Sequence, residues 1–181
     1  MRKVALGMQV SLDGFVATEE GKLDWAMAHF EPGLLGTIHE RLSRLETVLM
    51  GRRNYEEQAA TWPHAHGDPI GEIMNSVEKI VFSRTLAQVD WENSRLADGT
   101  PEEVVARLKQ GEGGDIGVSG GATLAGHLAA AGLIDEYTLA IHPVVLGKGV
   151  PLFVAPMELE LVDSVRFDSG VTLNTYRPAH A

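Results

Sequence analysis

Residues Asp115–Gly149 (DIGVSGGATLAGHLAAAGLIDEYTLAIHPVVLGKG) constrain this chain more than any other stretch. Asp115–Ser119 is a short apolar run stopped by Gly120 and Gly121. Ala122–Ala131 favours helix, with Leu124 and Leu128 one turn apart on the same face, and Gly132 falls where a helix C-terminal glycine belongs. From Tyr137 to Val145, the residues Tyr137, Leu139 and Ile141 alternate with Thr138, Ala140 and His142, which is a strand pattern. A strand running through Gly-Gly into a helix leaves backbone N–H groups free at a positive helix end. No side chain then blocks a phosphate from reaching them. A tight turn that needs only glycine's freedom accounts for a lone Gly-Gly equally well.

The preceding chain repeats this design. Lys3–Ser11 reads as a first strand with Val4, Leu6, Met8 and Val10 on one face. Ala5 and Gly7 on the other face suggest a central strand against which something packs closely. Asp13-Gly14 ends it. Asp-Gly is ordinary turn chemistry, and it also sets a carboxylate at the carboxyl end of a central strand, where open α/β sheets bind ligands. Glu19–Pro32 is loop-like and carries Trp25 and Phe30, which can line a pocket or anchor the loop. Leu34, Leu35, Ile38, Leu42 and Leu45 mark Gly33–Glu46 as an amphipathic helix, on which His39 and Glu40 read as solvated. Thr47–Met50 is a second strand that runs into Gly51-Arg52-Arg53. Cations are disfavoured at a helix N-terminus unless something pairs with them, so two arginines there point to an anion.

A loop over Ala60–Asp68 contains His64 and His66, with no third ligand at metal-binding spacing and no Cys, so no metal site is expected. Asp68–Ser76 fits a short helix. Lys79–Ser83 is a third strand, and it ends in Ser83-Arg84-Thr85. Trp91–Leu96 reads as a weak edge strand. Thr100-Pro101-Glu102-Glu103 is a helix start, with Thr as N-cap, Pro at the first position and Glu at the third. Met157–Phe167 and Val171–Arg177 close the chain as an antiparallel hairpin.

Composition narrows the function classes. The 181 residues, 44% hydrophobic and 22% charged, suit one soluble globular domain. Absence of Cys excludes disulfides and thiol catalysis and suits a cytoplasmic setting. No apolar run approaches the roughly 18 residues of a membrane span. A net charge of −10 argues against non-specific nucleic-acid binding, and an anionic ligand would have to be met by the few clustered cations. Those clusters are the strand ends: Gly51-Arg52-Arg53, Ser83-Arg84-Thr85 and Gly120-Gly121. Together they describe one edge of a mostly parallel sheet with several anion sites, enough for a dinucleotide carrying a further phosphate. Neither a G-x-G-x-x-G fingerprint nor a P-loop is present.

The combination of SLDG (Ser11–Gly14), VLMGRRNYE (Val48–Glu56), IVFSRTL (Ile80–Leu86) and the Val118–Gly149 segment resembles the dihydrofolate reductase superfold. It is most similar to the reductase domain of the riboflavin-biosynthesis bifunctional deaminase–reductase and its stand-alone relatives. The resemblance covers nearly the whole chain and implies a single domain over residues 1–181. The implied fold is three-layered: a mostly parallel sheet of about eight strands, helices on both faces and a C-terminal antiparallel hairpin. It also implies an NADPH-dependent reductase. Gly51, Arg52 and Arg53 would hold phosphates, Ser83, Arg84 and Thr85 the adenosine 2′-phosphate, and Gly120, Gly121, Ala122, Thr123 and Leu124 the pyrophosphate. The Gly120–Gly121 peptide bond is expected to be cis. Asp13 would lie beside the nicotinamide as a substrate-side catalytic group, with Trp25 and Ser119 facing the substrate. Relatives suggest a homodimer, and a zinc deaminase module is not expected without Cys.

Two departures from the resemblance bear on substrate. Riboflavin-pathway reductases typically carry Val-Glu-Gly/Ala-Gly where this chain has Val118-Ser119-Gly120-Gly121, so a substrate-facing Glu is replaced by Ser119. Dihydrofolate reductases keep a pterin-binding carboxylate on the first helix, for which Glu31 and Glu40 are the candidates here. The reading is therefore an NADPH-dependent reductase of a small heterocyclic or ribosylamino-pyrimidine substrate. Its alternatives are a dihydrofolate reductase proper and a non-catalytic nucleotide-binding protein of the same fold.

Overall fold

The computed structural model describes residues 1–119 and 121–179. Ten strands and six α-helices follow one another as β1 (Val4–Ser11), β2 (Phe15–Ala17), α1 (Asp24–Met27), α2 (Pro32–Leu42), β3 (Leu45–Gly51), α3 (Arg52–Ala59), α4 (Pro69–Ser76), β4 (Glu78–Phe82), β5 (Ser94–Leu96), α5 (Pro101–Gln110), β6 (Asp115–Ser119), α6 (Ala122–Ala130), β7 (Glu136–His142), β8 (Val150–Pro151), β9 (Leu159–Arg166) and β10 (Thr172–Pro178). Eight of the strands form one sheet in the order β5-β4-β3-β6-β1-β7-β10-β9. All its neighbouring pairs are parallel except those made by β10, which runs antiparallel to β7 and β9. The three-layer fold read from the sequence is thus observed. β2 and β8 make a separate two-stranded ribbon.

Strand alternation divides the interior. Leu49, Val118, Leu6 and Tyr137 are register partners across the sheet, and they pack with Val104 and Val105 of α5 and Leu124 and Leu128 of α6. The opposite face carries Val48, Met50 and Val81 against Tyr55 of α3 and Met74 of α4, and Ala140 and Leu173 against Leu34 of α2. Strands buried on both faces read as continuous apolar runs, which is why Val48–Met50 and Ile80–Val81 stand out in the sequence. Lys79 is the exception. It is fully buried, and its Nζ donates to the carbonyls of Met74 at 2.7 Å and Val77 at 2.8 Å, closing the end of α4 over the ring of Trp91. Burial pulls its pKa down to about 8.

Several boundaries differ from the sequence reading, for local reasons. The helix expected over Gly33–Glu46 ends at Leu42, and β3 takes Leu45 onward because Leu45 and Thr47 pair with β6. β7 stops at His142, since Pro143 has no N–H for the ladder. The loop-like stretch Glu19–Pro32 contains the short helix α1. Among the described residues no helix is long and apolar enough to cross a membrane.

Candidate functional site

Three neighbouring parallel strands, β4, β3 and β6, end side by side. Gly51 is the register partner of Phe82, which places Ser83 beside it, and Leu49 partners Val118. At the usual spacing between strands, three strand ends span about 10 Å. The sequence-derived anion groups therefore lie along one edge of the sheet. Two helices start there. α3 begins after Gly51 and α6 after Gly121, and neither has a side-chain cap. A Cβ built on Gly121 would lie 3.6 Å from Cβ of Asn54, and one on Gly51 would lie 3.9 Å from Cβ of Leu124, so the two helix starts adjoin. Gly121 has φ +69°, a conformation that L side chains rarely adopt. Gly120, and with it the expected cis Gly120–Gly121 bond, lies outside the described residues.

α1 and α2 also start without a side-chain cap, on Leu23 and Glu31, whereas α4 and α5 are capped. Asp68 caps α4 by accepting from the N–H groups of Ile70 and Gly71, both at 2.9 Å. Thr100 and Glu103 cap α5 reciprocally, at 2.9 and 3.3 Å. The first N–H groups of a helix need a partner, and among the described residues it is at α3 and α6 that a glycine N-cap leaves that position open toward the strand ends. Thr123 is exposed on the first turn of α6, with Ala122 beside it and Leu124 turned into the core.

The expected cations divide into two kinds. Arg52 and Arg53 are exposed and turn back along α3, Arg52 to Glu56 and Arg53 to Glu57, both at 3.1 Å. These i,i+4 pairs are the partners that make two arginines tolerable in a first helical turn. Exposed pairs of this type contribute only about 0.3–0.5 kcal/mol and are readily exchanged for another anion. A Cβ on Gly21 would meet Nη2 of Arg53 at 3.0 Å, so the Thr18–Lys22 turn lies against that guanidinium. Arg84 is exposed and enters no ion pair among the described residues. Ser83 Oγ accepts from the N–H groups of Thr85 at 3.2 Å and Leu86 at 3.0 Å, which leaves its own hydrogen free to donate.

Asp13 works on the loop after β7. Its carboxylate accepts from Ser11 Oγ at 2.7 Å and from the N–H groups of Leu146 at 3.1 Å and Gly147 at 2.7 Å. The Ser11 hydroxyl, and after it the two backbone donors, hold its pKa below the ordinary carboxylate value. Trp25 packs edge-on against His142 at 5.4 Å. His142 is fully buried between Trp25, His29 and Phe30, with its Nε2 2.7 Å from Oε1 of Gln9. Burial, then the neighbouring His29, pulls its pKa down to about 4. Nothing in the strand pattern marks His142 as the centre of an aromatic cluster.

A hollow of about 180 Å³ lies between the sheet and α2. Ser119 lines it, as do Gln9, Gly7 and Arg41, whereas Asp13, Trp25 and His142 do not. The sequence reading of Gly7 as a close-packing position is corrected here. Its Cβ position meets nothing within 4 Å and the residue is exposed, although its strand has neighbours on both sides. The two acids considered for pterin binding are engaged elsewhere. Glu31 accepts from the N–H of Ser169 at 2.6 Å, Glu40 pairs with Arg44 at 2.6 Å, and the first turn of α2 has no acidic residue.

This fold is dihydrofolate reductase-like. The chain belongs to the RibD C-terminal domain family, which matches residues 2–173. It is 34% identical to the uncharacterized Bacillus subtilis protein YyaP, over 97% of this chain and 94% of that one. The deaminase/5-amino-6-(5-phosphoribosylamino)uracil reductase of Thermotoga maritima superposes with a TM-score of 0.71 at 18% identity, covering 98% of this chain and 57% of that one. Dihydrofolate reductase from Enterococcus faecalis, in complex with NADP(H), gives 0.66 at 17% identity, covering 98% and 97%. The family is one of riboflavin-pathway reductase domains, and its kind of chemistry is oxidoreduction.

Proposed function

We propose that the protein is an NADPH-dependent reductase of a small heterocyclic substrate. The observation that carries this reading is the pair of adjoining helix starts, α3 and α6, capped by glycine at the strand ends while α4 and α5 carry side-chain caps. Open N–H groups at a positive helix end suit a pyrophosphate, and glycine lets its oxygens approach the backbone. The residues fit the group. Gly51 and Gly121 through Leu124 would seat the pyrophosphate, and Arg52 and Arg53 would trade their surface pairs for phosphate. Arg84, Ser83 and Thr85 offer a permanent cation and two hydroxyls for a 2′-phosphate. NADPH supplies the hydride when bound.

The chain's own residues then orient the reaction. Asp13 holds the Leu146–Gly147 backbone with an ionised carboxylate, so it acts as an acceptor that orders the loop and not as the proton donor. Ser119, fixed by Gln58, stands at the mouth of the hollow over Gly7, where the ring to be reduced would lie. The reading includes a homodimer, for which the exposed Leu161 and Val162 on the edge strand β9 are the candidate surface. The test is a titration of NADPH and NADH, followed by NADPH oxidation with the ribosylamino-pyrimidine, with dihydrofolate and with neither. Tight NADPH binding and turnover of the pyrimidine are expected. Failure to bind NADPH would overturn the proposal.

A further inference from the structure

The hollow over Gly7 has a floor, two walls and a roof of definite chemistry. One register row runs Ser119–Gly7–Thr138–Thr175 across β6, β1, β7 and β10. Gly7 leaves the middle of that row bare, with a hydroxyl on either side. Gln9 stands one row nearer the carboxyl edge on the same face of β1. The roof is α2, which contributes Ile38 and Arg41. Arg41 is half-buried, and its guanidinium donates to Oγ1 of Thr138 at 2.9 Å and Oγ1 of Thr175 at 3.0 Å.

The charges around the hollow are matched with one exception. Lys3 pairs with Glu136 at 2.9 Å and Asp115 at 3.6 Å, and Arg44 pairs with Glu40. Arg41 has no carboxylate partner among the described residues. Its two bonds go to neutral hydroxyls and use two of the five N–H groups of a guanidinium. A half-buried guanidinium without a counter-charge keeps N–H groups free to donate, and a fork held in place by two threonines is pre-set for a planar anion.

We infer that this hollow takes a single-ring heterocycle bearing a carboxylate or other planar anionic group, with the anion on Arg41 and the ring over Gly7. The inference rests on the reductase reading for the claim that this ring is the substrate. The volume of about 180 Å³ lies below the ~300–1,000 Å³ of pockets for larger ligands, so any further substituent projects past Ser119 toward the sheet edge.

The test uses the full chain and two probes that differ only in charge, pyrimidine-4-carboxylate and pyrimidine-4-carboxamide, titrated calorimetrically with inorganic phosphate as a competitor. Wild type is expected to favour the carboxylate by roughly ten- to a hundredfold, the worth of one charge-assisted hydrogen bond. Arg41→Gln should erase that preference. Gly7→Val should abolish binding of both probes with no loss of thermal stability, because its side chain enters open space at an ordinary strand φ. Retention of the carboxylate against excess phosphate is expected from a fork set for a planar anion, and its displacement by phosphate at comparable concentration would overturn that assignment. Equal binding of the two probes by wild type, or an unchanged preference in a folded Arg41→Gln, would overturn the inference. NADPH titration of the same variants keeps the two readings apart. Retained NADPH binding without carboxylate preference defeats only this inference, and the reverse pattern defeats only the cofactor assignment.

Discussion

The side-chain amide of Gln58 donates to the hydroxyl of Ser119 at 2.8 Å, which ties helix α3 to the last residue of β6. The same amide donates to Asn54 Oδ1 at 2.9 Å, one turn nearer the start of α3. The strand-end edge with its two open helix starts and the hollow under α2 thus share one rigid element. A shift of α3 on binding at Gly51 would be felt directly at Ser119.

Gly51→Asp separates cofactor binding from folding. Gly51 has φ −79° and ψ 160°, ordinary for an N-cap, and its Cβ position is in van der Waals contact only. An aspartate there caps α3 and meets its dipole, a gain of about 0.3–1 kcal/mol. The same carboxylate stands where the phosphate would sit. The expected outcome is an unchanged or raised Tm together with at least roughly tenfold weaker NADPH binding, about 1.4 kcal/mol.

Arg84→Ala tests which dinucleotide is read. Loss of a charge-assisted hydrogen bond costs roughly 1.5–3 kcal/mol, or about ten- to a hundredfold in NADPH affinity. NADH, which lacks the 2′-phosphate, should lose almost nothing. Equal losses for both cofactors would move Arg84 to a structural or pyrophosphate role.

His142 should give the fold an acid limit. In the unfolded chain it takes up a proton below about pH 6.5, whereas in the fold, among Gln9, Trp25, His29 and Phe30, it resists until about pH 4. Between those values the unfolded state binds more protons, so stability falls as pH falls. Above about pH 6.5 both states are neutral at this site and the effect vanishes. Its full size is roughly 3 kcal/mol. Denaturant melts across that interval should show the slope in wild type and a flatter one in His142→Gln.

Asp13→Asn should loosen the loop after β7, because an amide cannot reproduce the three bonds accepted from Ser11, Leu146 and Gly147. Faster hydrogen exchange at the Leu146 and Gly147 amides is expected, with little change at Val4 or Leu6. Unchanged exchange at the two loop amides would show that the clasp contributes nothing.

The eight strands of the main sheet and the starts of α2 to α6 were legible in the sequence, because they follow from short-range chemistry: apolar runs, glycine and capping residues. The β2–β8 ribbon and α1 were not, being two to four residues long within loop-like stretches. What faces what was not legible either. Arg41 lies within a helix whose polar residues looked solvated, and only the threonines of two distant strands reveal that it turns inward. Gly7 was read backwards, since a missing side chain marks either close packing or open room, and the distinction depends on how high α2 rides over the sheet. His142 carried a polar label in an alternating strand, although both faces of β7 are covered. The Glu56 and Glu57 partners of the two arginines were visible at i,i+4 and account for cations in the first turn of α3.

Glycine at the starts of α3 and α6 carries a thermodynamic consequence. Helix ends without side-chain partners fray, so these two turns should exchange their amide hydrogens faster than the capped starts of α4 and α5. Any polyanion that fastens them stabilises the whole domain in proportion to the logarithm of its concentration. Under this reading the melting temperature of the protein reports the total pool of phosphorylated dinucleotide around it, since the oxidised and reduced forms carry the same phosphates.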